Sequence, residues 1–219
     1  MRNWFKNFIY LIVLIGFGSV NAGSYEDFFA ALEVDNAPVI DRLLERGFDP
    51  NTPTAKGVPA LVAALKVPAP NVAALLVRHP DLKVEARNAQ DESALMLAAL
   101  RGYVDLCALL IERDADVNKS GWTPLHYAAT ESHLAVMQLL LDQHAYIDAA
   151  SPNGSTPLMM AAMYGNASAV KMLLEAGADP TIKNDLGLTA IDFAERVKKT
   201  ESTAIIAAFI RGRRPKGAW

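Results

Sequence analysis

The chain has 219 residues, 52% of them apolar, and its 21 Lys and Arg against 24 Asp and Glu give a formal net charge of −3. A mildly acidic chain lacks the electrostatic footprint of a nucleic-acid binder. Its single cysteine, Cys107, excludes an intramolecular disulfide and so a small cross-linked extracellular scaffold.

Residues 1–22 stand apart. Arg2 and Lys6 give a positive start, Phe8 to Val20 carries no charge, and Val20-Asn21-Ala22 places small residues where a cleavage point would follow. This pattern is expected of a secretory signal peptide, with an uncleaved N-terminal anchor as the alternative. The apolar run is shorter than the roughly 20 residues that span a bilayer, so no stable membrane insertion is expected after cleavage. Without the segment, 19 Lys and Arg face 24 Asp and Glu. The chain is expected to be exported and periplasmic, with secretion as the alternative.

From Tyr25 the chain reads as helix pairs. Tyr25 to Arg46 gives the first, with Phe28 at its apolar start and Leu43-Leu44-Glu45-Arg46-Gly47 as its second half. Val58-Pro59-Ala60-Leu61 opens the second pair and Ser93-Ala94-Leu95 the third. Thr123-Pro124-Leu125-His126-Tyr127-Ala128-Ala129 opens the fourth. The same pattern returns 33 residues on at Thr156-Pro157-Leu158-Met159-Met160-Ala161-Ala162, and again, weaker, at Thr189-Ala190-Ile191-Asp192-Phe193-Ala194. A fixed long period means one supersecondary unit copied along the chain.

The local chemistry of the copy is clear. Thr is a helix N-cap whose hydroxyl can accept from a free N–H of the first turn. Pro at the next place loses nothing, because its missing N–H would be unpaired anyway. Small alanines let neighbouring helices approach. Gly177 suits a left-handed helix exit, and Pro180 stops continuation. The fourth copy arrives early, Leu125 lying only 30 residues after Leu95. The missing residues fall between Val117 and Gly121, which predicts a shortened loop, since a deletion inside a helix would turn its apolar face out of register. The polar run Glu195 to Glu201 reads as a terminal copy with one face to water, Ile205, Ile206 and Phe209 pointing inward.

Gly121-x-Thr123-Pro124-Leu125-His126-x-Ala128-Ala129, with Leu173-Leu174-Glu175-Ala176-Gly177-Ala178-Asp179, resembles the ankyrin repeat. The resemblance covers roughly Ser24 to Ile210. It implies an all-α, ankyrin-repeat solenoid of about six stacked helix-turn-helix units with projecting loops. The repeat domain is expected over 23–211, in units of approximately 25–57, 58–91, 92–121, 122–154, 155–187 and 188–211, followed by a basic disordered tail, 212–219.

The resemblance also implies function. Members of the family bind proteins and are not, as a rule, enzymes. A non-catalytic protein–protein interaction scaffold in the cell envelope is therefore expected, as a monomer, with no cofactor and no metal. The alternatives are an immunity protein neutralising an envelope-directed toxin and a secreted host-directed effector. Family partners lie between the loop tips and the exposed side of each first helix. Carried over, that surface comprises Gln90, Glu92, Trp122 and Leu188 on loops, with Leu100, Arg101, Glu131, Met163 and Tyr164 at helix ends. Trp122, Leu100, Met163 and Tyr164 would form its apolar part, aromatic residues being common at binding hot spots. The competing arrangement folds Trp122 over the shortened loop and packs Met163 between helices.

No catalytic constellation is legible. None of His79, His126, His133 and His144 is paired with another His or Cys at metal-ligand spacing. His126 occupies the family's structural histidine position, bonding within and between loops. Asp116, Asp148 and Asp179 recur with the period, which suits a repeated turn residue better than a metal ladder. Cys107 aligns with Met137 and Val170 and reads as a small buried apolar residue.

Overall fold

A computed structural model describes residues 23–213. The expected signal peptide lies outside the described residues, as does the expected tail, 212–219, except for Gly212 and Arg213, which continue the last helix instead of being disordered. The chain divides into two compact units, one ending at Lys83 and the other beginning at Val84.

The first unit holds α1 (23–33), α2 (Ala37–Glu45), α3 (Ala60–Lys66) and α4 (Pro70–Arg78). Phe28, Leu32, Ile40, Leu65, Val72 and Leu76 are fully buried, and Phe28 stacks on Phe48 with ring centroids 4.5 Å apart. Phe28 thus fills the place that a leucine takes in later copies. Asp35 leaves α1 in a left-handed conformation, φ 53°. Its carboxylate accepts from the N–H of Val72 at 2.9 Å and of Asn71 at 3.3 Å, an acid at the positive start of α4.

The second unit holds α5 (Ala94–Arg101), α6 (Val104–Glu112), α7 (Pro124–Glu131), α8 (Leu134–Asp142), α9 (Pro157–Met163), α10 (Ala167–Glu175), α11 (Ala190–Arg196) and α12 (Thr200–Arg213). The first helices of each pair, α5, α7, α9 and α11, pack side by side, and the second helices α6, α8, α10 and α12 form a row behind them. The paired alanines sit at the contact: Ala98, Ala99, Ala128, Ala129, Ala161 and Ala162 are all fully buried. Leu125 and Leu158 are also fully buried, whereas Ile191, expected to be their equivalent, is only half-buried. Helix α11 packs on α9 and α12, and among the described residues no further first helix covers its other side. In α12, Ile206 is buried, but Ile205 and Phe209 stay half-buried for the same reason.

The starts of the first helices share a device that differs from the simple threonine cap. The third helical residue returns its side chain to the N–H of the cap. Met96 and Met159 sulfurs accept from Ser93 and Thr156 at 3.4 Å, His126 Nδ1 from Thr123 at 3.1 Å, and Asp192 from Thr189 at 2.7 Å. The Thr156 hydroxyl accepts from the Met159 N–H as expected. The hydroxyls of Thr123 and Thr189 instead donate to His126 and Asp192.

Successive copies are also tied by side chains. Asn51 accepts from Lys83 N–H and donates to the Asp81 carbonyl. Asn118 does the same with Tyr146 and His144, and Asp148 accepts from Asp179 N–H. Lys83, at the equivalent place, cannot accept, and Glu85 takes over by accepting from Asp116 N–H at 2.8 Å. Asp116 and Asp179 also accept from the N–H two residues on, so the recurring acids serve as turn and clamp residues. On the opposite turns, His133 donates to the Leu100 carbonyl, and Ser132 accepts from Asn166 N–H. Gly102 makes room for that histidine: a Cβ there would lie 2.6 Å from the His133 ring.

Candidate partner-binding surface

The surface implied by the loop tips and first helices lies within the second unit. Its centre is the junction between the 118–122 tip and α7. Tips 88–92, 151–155 and 184–188 each close by two backbone hydrogen bonds, as in Ser151 N–H to Ser155 O and Gly154 N–H to Ser151 O. The 118–122 tip, shortened as expected, is held differently. Lys119 is 4% exposed, and its ammonium donates to the carbonyls of Ser120 and Trp122 while pairing with Asp91. Lys119 and Arg87 together hold the Asp91 carboxyl below its ordinary range.

His126 anchors the same junction from below. The Thr123 N–H donates to Nδ1, so the proton resides on Nε2, which donates to the Ser155 carbonyl at 2.9 Å. Burial pushes its pKa down to about 4, which keeps the ring neutral. The expected structural role, bonding within and between loops, is what the geometry gives. Trp122 stands edge-on to this ring, centroids 5.3 Å apart.

Leu100, Trp122, His126, Tyr127, Thr130 and Met160 line a shallow depression of about 220 Å³. Of the sequence candidates, the structure brings Leu100 and Trp122 together here. Met163 and Tyr164 lie at the end of the next first helix and do not line it; Tyr164 is 58% exposed, Met163 half-buried. Arg101 and Glu131 are exposed at the ends of α5 and α7. Gln90 is exposed on its tip, and Leu188 is half-buried. Glu92 is engaged inside the protein, accepting from Asn88 at 2.6 Å and from the Tyr127 hydroxyl at 3.4 Å. Tyr127 and Met160 were not singled out from sequence. Tyr127 occupies the variable place between His126 and Ala128, one helical turn before Thr130, and that spacing was the available signal.

Cys107 is buried and its thiol is pushed up to about 12 by burial, far from a usable nucleophile. Among the described residues no His, Cys, Asp and Glu gather in a group able to hold a metal, and no helix is long and apolar enough to cross a membrane.

The helix-pair stack with projecting tips defines a repeat protein of the interaction class. The family model described as Ankyrin repeats (3 copies) matches residues 28–120, 63–151, 117–184 and 145–213, and the chain belongs to the ankyrin repeat family. The chain is 46% identical over 77 residues, 35% of its length, to mouse Ankyrin repeat and SAM domain-containing protein 6, of which it spans 9%. Its fold is similar to the human ASB11 ankyrin repeat domain, with a TM-score of 0.74, 24% identity, and 82% and 81% of the two chains covered. It is similar also to a chain in the complex of a predatory endopeptidase from Bdellovibrio bacteriovorus with an immunity protein: TM-score 0.71, 23% identity, 83% of this chain and 97% of that one. Ankyrin repeats indicate a protein–protein interaction scaffold, and homologues are generally non-catalytic.

Proposed function

We propose that the protein is an exported scaffold of the cell envelope that captures a partner protein on the α5–α7–α9 side of its second unit. The observation that carries this reading is the apolar depression where Leu100, Trp122, Tyr127 and Met160 meet. Tyr164 extends the contact surface along the next helix end, and Arg101 and Glu131 supply charged edges. Export rests on the charge and apolar pattern of residues 1–22. The mechanism is stoichiometric recognition: a packed scaffold presents side chains that lose little freedom on binding.

Trp122→Ala with Tyr164→Ala tests the surface. Both side chains are outside the core, so the double variant is expected to keep its helical circular dichroism. Affinity capture from envelope extract is expected to lose the partner. Unchanged capture would overturn the assignment.

A second reading is an immunity protein that neutralises an envelope-directed toxin. Its support is the likeness in fold to a chain of the endopeptidase–immunity protein complex. Protection of cells expressing a neighbouring toxin gene, lost in the same double variant, distinguishes it from an accessory scaffold.

A further inference from the structure

Trp122 is the largest side chain lining the depression, and it stands on the shortened tip. It directly precedes the helix cap Thr123, as Glu92, Ser155 and Leu188 precede the caps Ser93, Thr156 and Thr189. At those other places the carbonyl accepts from a backbone N–H across the tip: from Asn88 at 3.3 Å, Ser151 at 2.9 Å and Asn184 at 3.0 Å. A side-chain oxygen of Asn88, Ser151 or Asn184 accepts in turn from the N–H of the residue before the cap, each at 3.0 Å.

At Trp122 the carbonyl is held by an ammonium. Lys119 Nζ donates to it at 3.4 Å and to the Ser120 carbonyl at 2.9 Å. The same ammonium pairs with Asp91 of the preceding tip, so its three N–H donors have three acceptors. Arg87 holds Asp91 as well, at 3.3 Å. Lys119 is 4% exposed, so this ammonium is spent inside the protein.

We propose that Lys119, held by Asp91, is the positioning residue of the binding surface: it fixes the backbone of Trp122, so that the indole stands in the depression before a partner arrives. This inference rests on the surface proposed above and adds what keeps it ready. A tip that had to be ordered on binding would subtract that ordering from the affinity. The edge contact with His126 restrains the ring, but the direction in which a side chain leaves is set by its backbone. Asp91 belongs to the third copy and Trp122 to the fourth, so the contact residue of one copy is set by its neighbour.

Nitrogen-15 relaxation on the full chain tests the assignment, reading the backbone N–H groups of the tip and the indole N–H of Trp122. Lys119→Met keeps most of the apolar stem and loses the donors. Asp91→Asn removes the charge that holds the lysine and keeps a residue type tolerated at φ 59°. Asp91 is exposed, so this variant keeps the test open if Lys119→Met does not fold. Asn166→Ala is the control. It removes the N-cap of α10, which accepts from Ala169 at 3.0 Å, and lowers stability without touching this tip.

The Trp122 backbone order parameter is expected at about 0.85 in the parent and below about 0.6 in Lys119→Met. Asp91→Asn is expected to fall between them, and Asn166→Ala to match the parent. Capture from envelope extract is expected to weaken in Lys119→Met and to be lost in Trp122→Ala.

A Trp122 that is already mobile in the parent, that stays rigid in Lys119→Met or Asp91→Asn, or that loosens equally in Asn166→Ala would overturn the positioning role and leave the surface standing. If Trp122 loosens in Lys119→Met while capture stays at the parent level, the lysine serves stability alone and the inference fails. Unchanged capture in Trp122→Ala would overturn the surface itself, and with it the purpose assigned to Lys119.

Discussion

The fourth and fifth copies begin with the same Thr-Pro-Leu, yet their tips are held together by different means. In the fifth, the backbone closes the 151–155 turn, and Ser151 and Asn153 reinforce it. In the fourth, three residues shorter, long side chains do the work of missing backbone bonds. Lys119 reaches over the tip, and His126 reaches forward to Ser155. The Met159 sulfur takes the same N-cap bond in the fifth copy. A shortened loop therefore exchanges backbone bonds for bonds made by titratable side chains, and the fourth copy becomes the chemically sensitive part of the second unit.

Acid should expose that difference most strongly. The His126 pKa is lowered from 6.5 to about 4 on folding. The unfolded chain then binds the extra proton between those values, so the contribution is complete above about pH 6.5 and is lost as the pH falls toward 4. The expected loss is on the order of 3 kcal/mol. Urea denaturation across that range should show it in the parent protein, and the dependence should be reduced in His126→Gln. A parallel pH slope in both proteins would show that the fourth copy has no special sensitivity.

The tips themselves come next. Lys119→Met removes charge-assisted bonds from a buried ammonium and should cost about 2 kcal/mol. Asn153→Ala leaves the backbone turn of the fifth copy in place and should cost about 1 kcal/mol. Thermal melts of the two variants rank them. If Asn153→Ala proved the more damaging, the short tip would not depend on its lysine.

The smallest effect concerns the helix exits. Gly177 adopts its positive φ of 111° in the fifth copy, whereas His144 is held at φ 61° in the fourth. His144→Gly relieves the strain of a side chain there and should raise stability by about 0.5–1 kcal/mol, partly offset by glycine's greater freedom when unfolded. A lowered melting temperature would mean that His144 makes a compensating contact.

Much of this was legible from the recurrence of Leu125, Leu158 and Ile191, because stacking demands a fixed interval between buried residues. The short tip was legible too, since only a loop can absorb a deletion. Burial at the tip was not: nothing in the spacing marks Lys119 as buried, and only the fold brings Asp91 and two carbonyls to it. Tyr127 escaped because its position is free in the repeat pattern. The half-exposure of Ile191 reflects what packs beyond it, which its own spacing does not carry.

Four side-chain clamps between copies point the same way along the chain, opposite to that of His133 on Leu100. Asn51, Glu85, Asn118 and Asp148 each hold backbone of the copy that follows. A seam made by recombination would therefore be good only when the upstream piece ends with an acceptor at the right height. Copies carrying Glu85 and copies carrying Asn118 are not freely exchangeable, although both fold alike. Lineages that shuffle such modules should inherit the clamp together with its downstream neighbour.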